Sequence, residues 1–208
     1  MDITDSHDHD AFLRWTTLQQ RPGGHFRIFD LEWVERVHPR KNVRGEFVVL
    51  HTPVWVNVLP LTADGKVVMV RQYRHGSDLV TLEFPGGVVA HGEEPAAAAM
   101  RECTEETGYA STPDKLVLVG EQLPNPAFMA TRCYTYAWYD CVASQQPRWD
   151  THEILEVVEV PLSRIEPMIA GGDIQHSIII AAWTLFRLRA LAVEPSIGGP
   201  NGQSCHDR

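Results

Sequence analysis

The stretch from Gly87 to Tyr109, GVVAHGEEPAAAAMRECTEETGY, limits what this chain can become more than any other. Ala96, Met100, Cys103 and Thr107 are spaced by four, three and four. At about 100° per residue that spacing makes one narrow, mostly apolar stripe of a helix, suited to packing on a sheet. Glu102, Glu105 and Glu106 fall on a different face, one turn apart, where their oxygens can converge on one hard cation. Arg101 lies four residues before Glu105 and eight after Glu93, within reach to orient either carboxylate as support for the site. The ends are written in as well. Pro95 suits a first turn, Glu93 and Glu94 complement the positive end, and Gly108 suits a left-handed cap, so the spacing predicts a helix from about Pro95 to Thr107. Gly86 and Gly87 precede it, where the backbone must turn sharply and can expose a carbonyl to the same cation.

Length and charge narrow the classes. A chain of 208 residues is long enough for one domain with a real core. Its net charge of -9 argues against nonspecific nucleic-acid binding, so an anionic substrate needs a metal or a local arginine. The cysteines at 103, 133, 141 and 205 form no CxxC pair, which speaks against a disulfide framework or a zinc site. No signal peptide opens the chain, and Ile178 to Phe186 is too short an apolar run to span a bilayer. A cytoplasmic protein with no membrane partner is the expectation.

Taken in order, residues 1–10 read as a polar tail, in which His7 and His9 are solvated. From 11 to 48 an N-terminal hairpin is expected, with RPGGHF as a turn, FRIFDLEWVERV as a strand, VHPRKNVRG as a second turn and EFVVLHT as a second strand; it could serve as a lid or a dimer arm. VWVNVL and KVVMVRQYR are strands joined by a hairpin turn at ADG, residues 63–65. Arg71 reads as a solvated strand-end charge, while Arg74 is open to a phosphate role or an ion pair with Glu83. After the acidic helix come KLVLVGEQL, the proline-rich PNPAF and the aromatic strand TRCYTYAWYDCVA. The polar loop SQQPRWDTHE leads to the strand EILEVVEVPL, a short helix and a longer one carrying His176 as a packed or surface histidine; residues 193–208 read as a second tail. Strands before and after one central helix, with another helix at the end, describe an α/β sandwich with a mixed sheet.

The order Gly87, five residues, Glu93, seven residues, Arg101-Glu102, Cys103, one residue, Glu105-Glu106, one residue, Gly108, Tyr109 resembles the Nudix box, with Cys103 a less usual occupant of its apolar slot. The resemblance implies a Nudix-type α/β/α sandwich over residues 49–192. A diphosphate repels nucleophiles, so its cleavage requires cations on its oxygens, a metal-acidified water and a base. Glu102, Glu105 and Glu106, with the Gly86 carbonyl, would hold magnesium, or manganese in its place, and Gly87, Glu93 and Arg101 would support them. VVMVRQYRHG, LEFPGG and the box together look like the ADP-ribose pyrophosphatase branch, in which an arginine in the place of Arg74 touches the substrate diphosphate. Pro124, 15 residues past Tyr109, agrees with an ADP-sugar substrate. Trp55, Tyr73 and Phe128 are candidates to stack the base. The base for the attacking water is expected from outside the metal-binding helix, whose carboxylates are committed to cations. Alignment to the family's late acidic residue selects Glu153; in some relatives that position binds metal instead, which leaves His152, Asp150 or Glu105 in the role. A homodimer through the N-terminal segment is implied by the branch. The alternatives are another nucleoside diphosphate sugar or a dinucleotide such as NADH as substrate, or a non-catalytic nucleotide-sugar sensor.

Overall fold

A computed structural model describes residues 11–193, so the tails read at either end of the chain, with His7, His9 and Cys205, lie outside the described residues. The strands are β1 (Thr16–Phe26), β2 (Phe29–His38), β3 (Val43–His51), β4 (Trp55–Pro60), β5 (Lys66–Arg74), β6 (Leu79–Glu83) and β7 (Gly86–Val88). Helix α1 (Pro95–Thr107) is followed by β8 (Tyr109–Ala110), β9 (Leu116–Gln122), β10 (Cys133–Trp138), β11 (Val142–Ala143) and β12 (Leu155–Pro161). Helices α2 (Leu162–Gly171) and α3 (Ser177–Val193) close the described chain.

The N-terminal segment is a three-stranded antiparallel sheet, β1-β2-β3, rather than a hairpin. RPGGHF, expected as a turn, is the second half of β1. The chain instead reverses at Arg27 and Ile28, and the Pro-Gly-Gly run is absorbed as a register shift between Pro22 and Gly24 on an edge strand. An edge tolerates proline and a bulge because one side of the strand owes no ladder bonds. The sheet is tied to the rest of the chain at Leu50, whose N–H donates to the Phe128 carbonyl at 2.8 Å and whose carbonyl accepts from Ala130 N–H at 2.8 Å.

Two further sheets build the body of the fold. One has the order β7-β4-β10-β9, with β4 and β10 parallel and the other pairs antiparallel; the second is antiparallel, β12-β5-β6. The ADG turn therefore does not close a hairpin. It is a corner that sends β4 into one sheet and β5 into the other, joined only by the bridge of Leu61 to Val67. Turn chemistry dictates the reversal and is silent about which neighbour the next strand takes.

Alternation along β4 sets the layers. Val56 and Val58 meet Ala98, Ala99 and Cys103 of α1, with Tyr136 and Trp138 of β10 beside them. On the opposite face Leu59 joins Val67 and Met69 of β5, Ile165 of α2 and Ile179 and Trp183 of α3. Each such fully buried large side chain contributes roughly 1.5–3 kcal/mol of transfer free energy. The buried face of α1 is not the narrow stripe its sequence suggests. Ala98, Ala99, Cys103, Glu106 and Thr107 are buried, while Ala96 and Met100 are only partly covered at its margin. That rotation carries Glu106 off the solvent face and into the interior.

Candidate metal and hydrolytic site

Helix α1 begins and ends where its sequence places it. Pro95 occupies the first turn, and Gly108 adopts φ 75° with its N–H donating to the Thr104 carbonyl at 3.0 Å. Glu94 stands at the N-cap without a side-chain bond, and Glu93 turns aside to accept from Ala90 N–H at 2.9 Å. Its other partner is Arg101. Nε and Nη2 of that arginine each donate to Glu93 at 2.9 Å, Nη1 donates to Glu102 at 2.8 Å and Glu105 at 3.1 Å, and Nη2 reaches the Val88 carbonyl at 3.2 Å. Arg101 thus holds the loop before the helix and two of its acids in one grip. The pairing drops the Glu93 carboxyl to about 2.

Glu106 is held differently. It is 6% exposed, and one carboxylate oxygen accepts from Gly86 N–H at 2.9 Å. Burial, reinforced by the nearby Glu102 and Glu153 charges, pushes its carboxyl up to about 8, against the pull of the Gly86 amide and Arg74. Burial likewise raises Glu102, opposed by Arg101. Glycine is required on both sides of this arrangement. A Cβ on Gly87 would stand 2.5 Å from the Glu102 carboxyl carbon, and one on Gly86 would stand 2.2 Å from the Val56 carbonyl oxygen.

The strand register shows where the Gly86 carbonyl goes. Val58 N–H donates to Pro85 O and Val89 N–H to Val54 O, so bonding pairs on β4 and β7 fall at alternate positions and the Asn57–Gly86 pair is the non-bonded kind. Both polar groups of Gly86 therefore point away from β4, over the free edge of the sheet where Glu106 lies. Glu102, Glu105, Glu106 and this carbonyl all offer oxygen, the donor type that suits a hard divalent cation. Among the described residues no three carboxylates or histidines close around a common point as the side chains stand, because Arg101 holds Glu102 and Glu105 while Gly86 N–H holds Glu106.

Glu153 comes to this cluster from the loop before β12, near enough for its charge to act on both Glu102 and Glu106. Its carboxylate accepts from Asp150 N–H at 3.0 Å and its own N–H donates to the Asp150 carbonyl at 3.0 Å. Asp150 and His152 themselves are exposed.

Arg74 forms the ion pair that was one of its two readings. Nε and Nη2 donate to the two oxygens of Glu83 at 2.8 and 2.7 Å, so the fork is engaged by a carboxylate and Nη1 is the nitrogen outside the pair. Glu83 is 2% exposed. Burial alone would raise its carboxyl, yet Arg74 and Thr81 hold it well below the usual carboxylate range. His176 stands immediately before α3 rather than on it. Its Nδ1 is 3.1 Å from Glu83 Oε2 but out of hydrogen-bond alignment. Arg71, read as a solvated charge, is exposed and makes a cross-strand pair with Glu156 at 2.8 Å.

The aromatic candidates are scattered. Trp55 heads β4, paired with Val88 and Cys133, while Phe128 is exposed in the loop against β3, and Tyr73 is exposed with its hydroxyl on Asp78. Sequence reasoning missed Arg148 and Trp149, which bond the carbonyls of Glu105 and Glu106 at 2.8 Å each. Contacts to a backbone carbonyl leave no residue-specific signal on the helix side.

Comparison with known proteins agrees with this fold. The NUDIX domain profile matches residues 51–182. The ADP-ribose pyrophosphatase of Bacillus subtilis (strain 168) is 32% identical over 149 residues, 71% of this chain and 79% of that protein. The ADP-sugar pyrophosphatase of Mus musculus is 51% identical over 43 residues, 21% of this chain and 20% of that protein. A crystal structure of an ADP compounds hydrolase superposes with a TM-score of 0.76 at 22% identity, over 87% of this chain and 96% of that one, a likeness that carries the fold. No described helix is long and apolar enough to cross a membrane.

Proposed function

The chain belongs to the Nudix family of hydrolases, and on that premise we propose that it cleaves the diphosphate of ADP-ribose, or of a related nucleoside diphosphate sugar, to AMP and a sugar phosphate. The observation that carries this reading is the buried Glu106 carboxylate, set on the Gly86 amide and facing Glu102 and Glu153. Nudix hydrolases use divalent metal ions. Magnesium, with manganese as a substitute, suits oxygen donors of this kind, which here are Glu102, Glu105, Glu106 and the Gly86 carbonyl. When bound, the metal neutralises phosphate oxygens and acidifies the attacking water.

The chain's own residues do the rest. Glu153 accepts the proton of the water whose oxygen attacks phosphorus as the bridging P–O bond breaks; it fits the part because it reaches the cluster from outside α1. Arg101 keeps Glu102 and Glu105 from swinging away, and Glu93 keeps Arg101 in place. Arg74 offers Nη1 to a diphosphate oxygen while Glu83 fixes its plane. Phe128 and Trp55 remain the residues assigned to the nucleobase side. The exposed apolar side chains of the N-terminal sheet, Leu18, Phe26 and Phe47 among them, support a homodimer formed through that sheet, with residues 49–192 as the hydrolase domain. The deciding experiment is incubation of the purified protein with magnesium and ADP-ribose. Release of AMP is the expected result, and binding without release marks a sensor instead. The same assay across other nucleoside diphosphate sugars and NADH ranks the substrates.

A further inference from the structure

The last turn of α1 leaves carbonyls without helical partners, and such groups are ordinarily left to water or a cap. Here the loop of residues 144–153 takes them. Ser144 N–H and Oγ donate to the Gly108 carbonyl at 2.9 and 3.0 Å, Gln145 N–H to the same oxygen at 3.2 Å, Arg148 N–H to Glu105 O at 2.8 Å and the Trp149 indole N–H to Glu106 O at 2.8 Å. Gly108 admits this approach only because it lacks a side chain: a Cβ there would stand 2.2 Å from the Gln145 carbonyl oxygen. The indole contact is the one nearest Glu153. Asp150, the next residue, is locked to Glu153 by the reciprocal pair of bonds that fixes the Glu153 carboxylate.

We propose that Trp149 is a positioning residue, whose indole N–H on the Glu106 carbonyl sets the Glu153 carboxylate against the acidic face of α1. The role rests on Glu153 as the base. Trp149 belongs to neither hydrophobic core cluster, and its N–H is the part the arrangement uses. The indole bond, made to the backbone of a proposed metal-binding residue, thereby joins the Ser144, Gln145 and Arg148 bonds in registering the loop to the acidic face. A misplacement of about 1 Å at such a point can cost on the order of 10²-fold in rate.

The test is a double-mutant cycle with Trp149→Phe and Glu153→Gln, reading kcat and KM for ADP-ribose with magnesium. Trp149→Phe is expected to lower kcat about tenfold or more with KM changed less than about threefold, and to cost less than about threefold when Glu153 is already glutamine. Gly108→Ala, which displaces the loop from its other end, is expected to show the same loss of effect in the Glu153→Gln background. Melting temperatures of all the proteins check that they fold. A kcat within twofold of the parent in Trp149→Phe overturns the proposal, as does a full, additive loss in the Glu153→Gln background. Should Glu153→Gln by itself keep the parental rate, the base reading falls first and the role of Trp149 falls with it.

Discussion

Replacing Glu106 by glutamine should stabilise the metal-free protein at alkaline pH while removing its activity. The carboxyl is pushed up to about 8 in the fold from an ordinary value of 4.5, chiefly by burial. A raised folded-state value means the fold favours the proton. The contribution is therefore intact below about pH 4.5, declines as the pH rises, and is lost once the pH passes about 8. The interval corresponds to on the order of 5 kcal/mol at full ionisation, which for a chain of this size shifts the melting temperature by on the order of 10 °C. Glutamine is isosteric, helix-compatible, uncharged, and its carbonyl oxygen can still accept from Gly86 N–H. The assay is thermal unfolding of both proteins in EDTA at pH 5 and pH 9. The difference between variant and parent reports Glu106 together with its coupling to Glu102 and Glu153, since the remaining titrating groups are common to both. Near-equal melting at pH 5 and a higher melting temperature for Glu106→Gln at pH 9 are expected, with magnesium raising the parent and not the variant. A variant less stable than the parent at pH 9 would refute the argument, because it would mean the ionised carboxylate is well solvated or well paired in the fold.

Two further outcomes follow from the site. Glu153→Gln should lower turnover by at least about 10², the lower end for losing a general base; a loss below about tenfold there, beside a large one in His152→Ala or Asp150→Asn, moves the role to that neighbour. Arg74→Lys keeps the charge but loses the planar fork that grips both Glu83 oxygens and leaves Nη1 outside the pair, so KM for ADP-ribose should rise by about tenfold with a smaller change in kcat. Unchanged KM and rate in that variant leave Arg74 as a partner of Glu83 alone.

The helix ends and the grip of Arg101 were legible because each depends on residue type at short fixed spacing. Pro95 and Gly108 are chosen by backbone geometry, and Arg101 reaches Glu105 across a single turn. What escaped was set over longer distances. A helical stripe can be read from periodicity, but how far it is rotated toward the sheet depends on the neighbours it meets, and here that rotation buried Glu106. Arg148 and Trp149 read as loop residues because their partners are carbonyls, which every residue carries. RPGGHF read as a turn because proline and glycine are turn formers; only its place on a sheet edge makes it a strand.

The parallel pairing of β4 with β10 also governs the order of assembly. Asn57 and Cys133, which meet there, are 76 residues apart, whereas β7 and α1 follow one another directly along the chain. Closing so large a loop carries an entropic cost that is met only when the contacts beyond it form. Until β10 arrives, α1 has Val56 and Val58 beneath it but not Tyr136 or Trp138, and the loop that latches its last turn is more distant still. Burial of Glu106 is therefore expected late in folding. A cation bound at the finished site would act by slowing unfolding, with little influence on the rate at which the chain first folds.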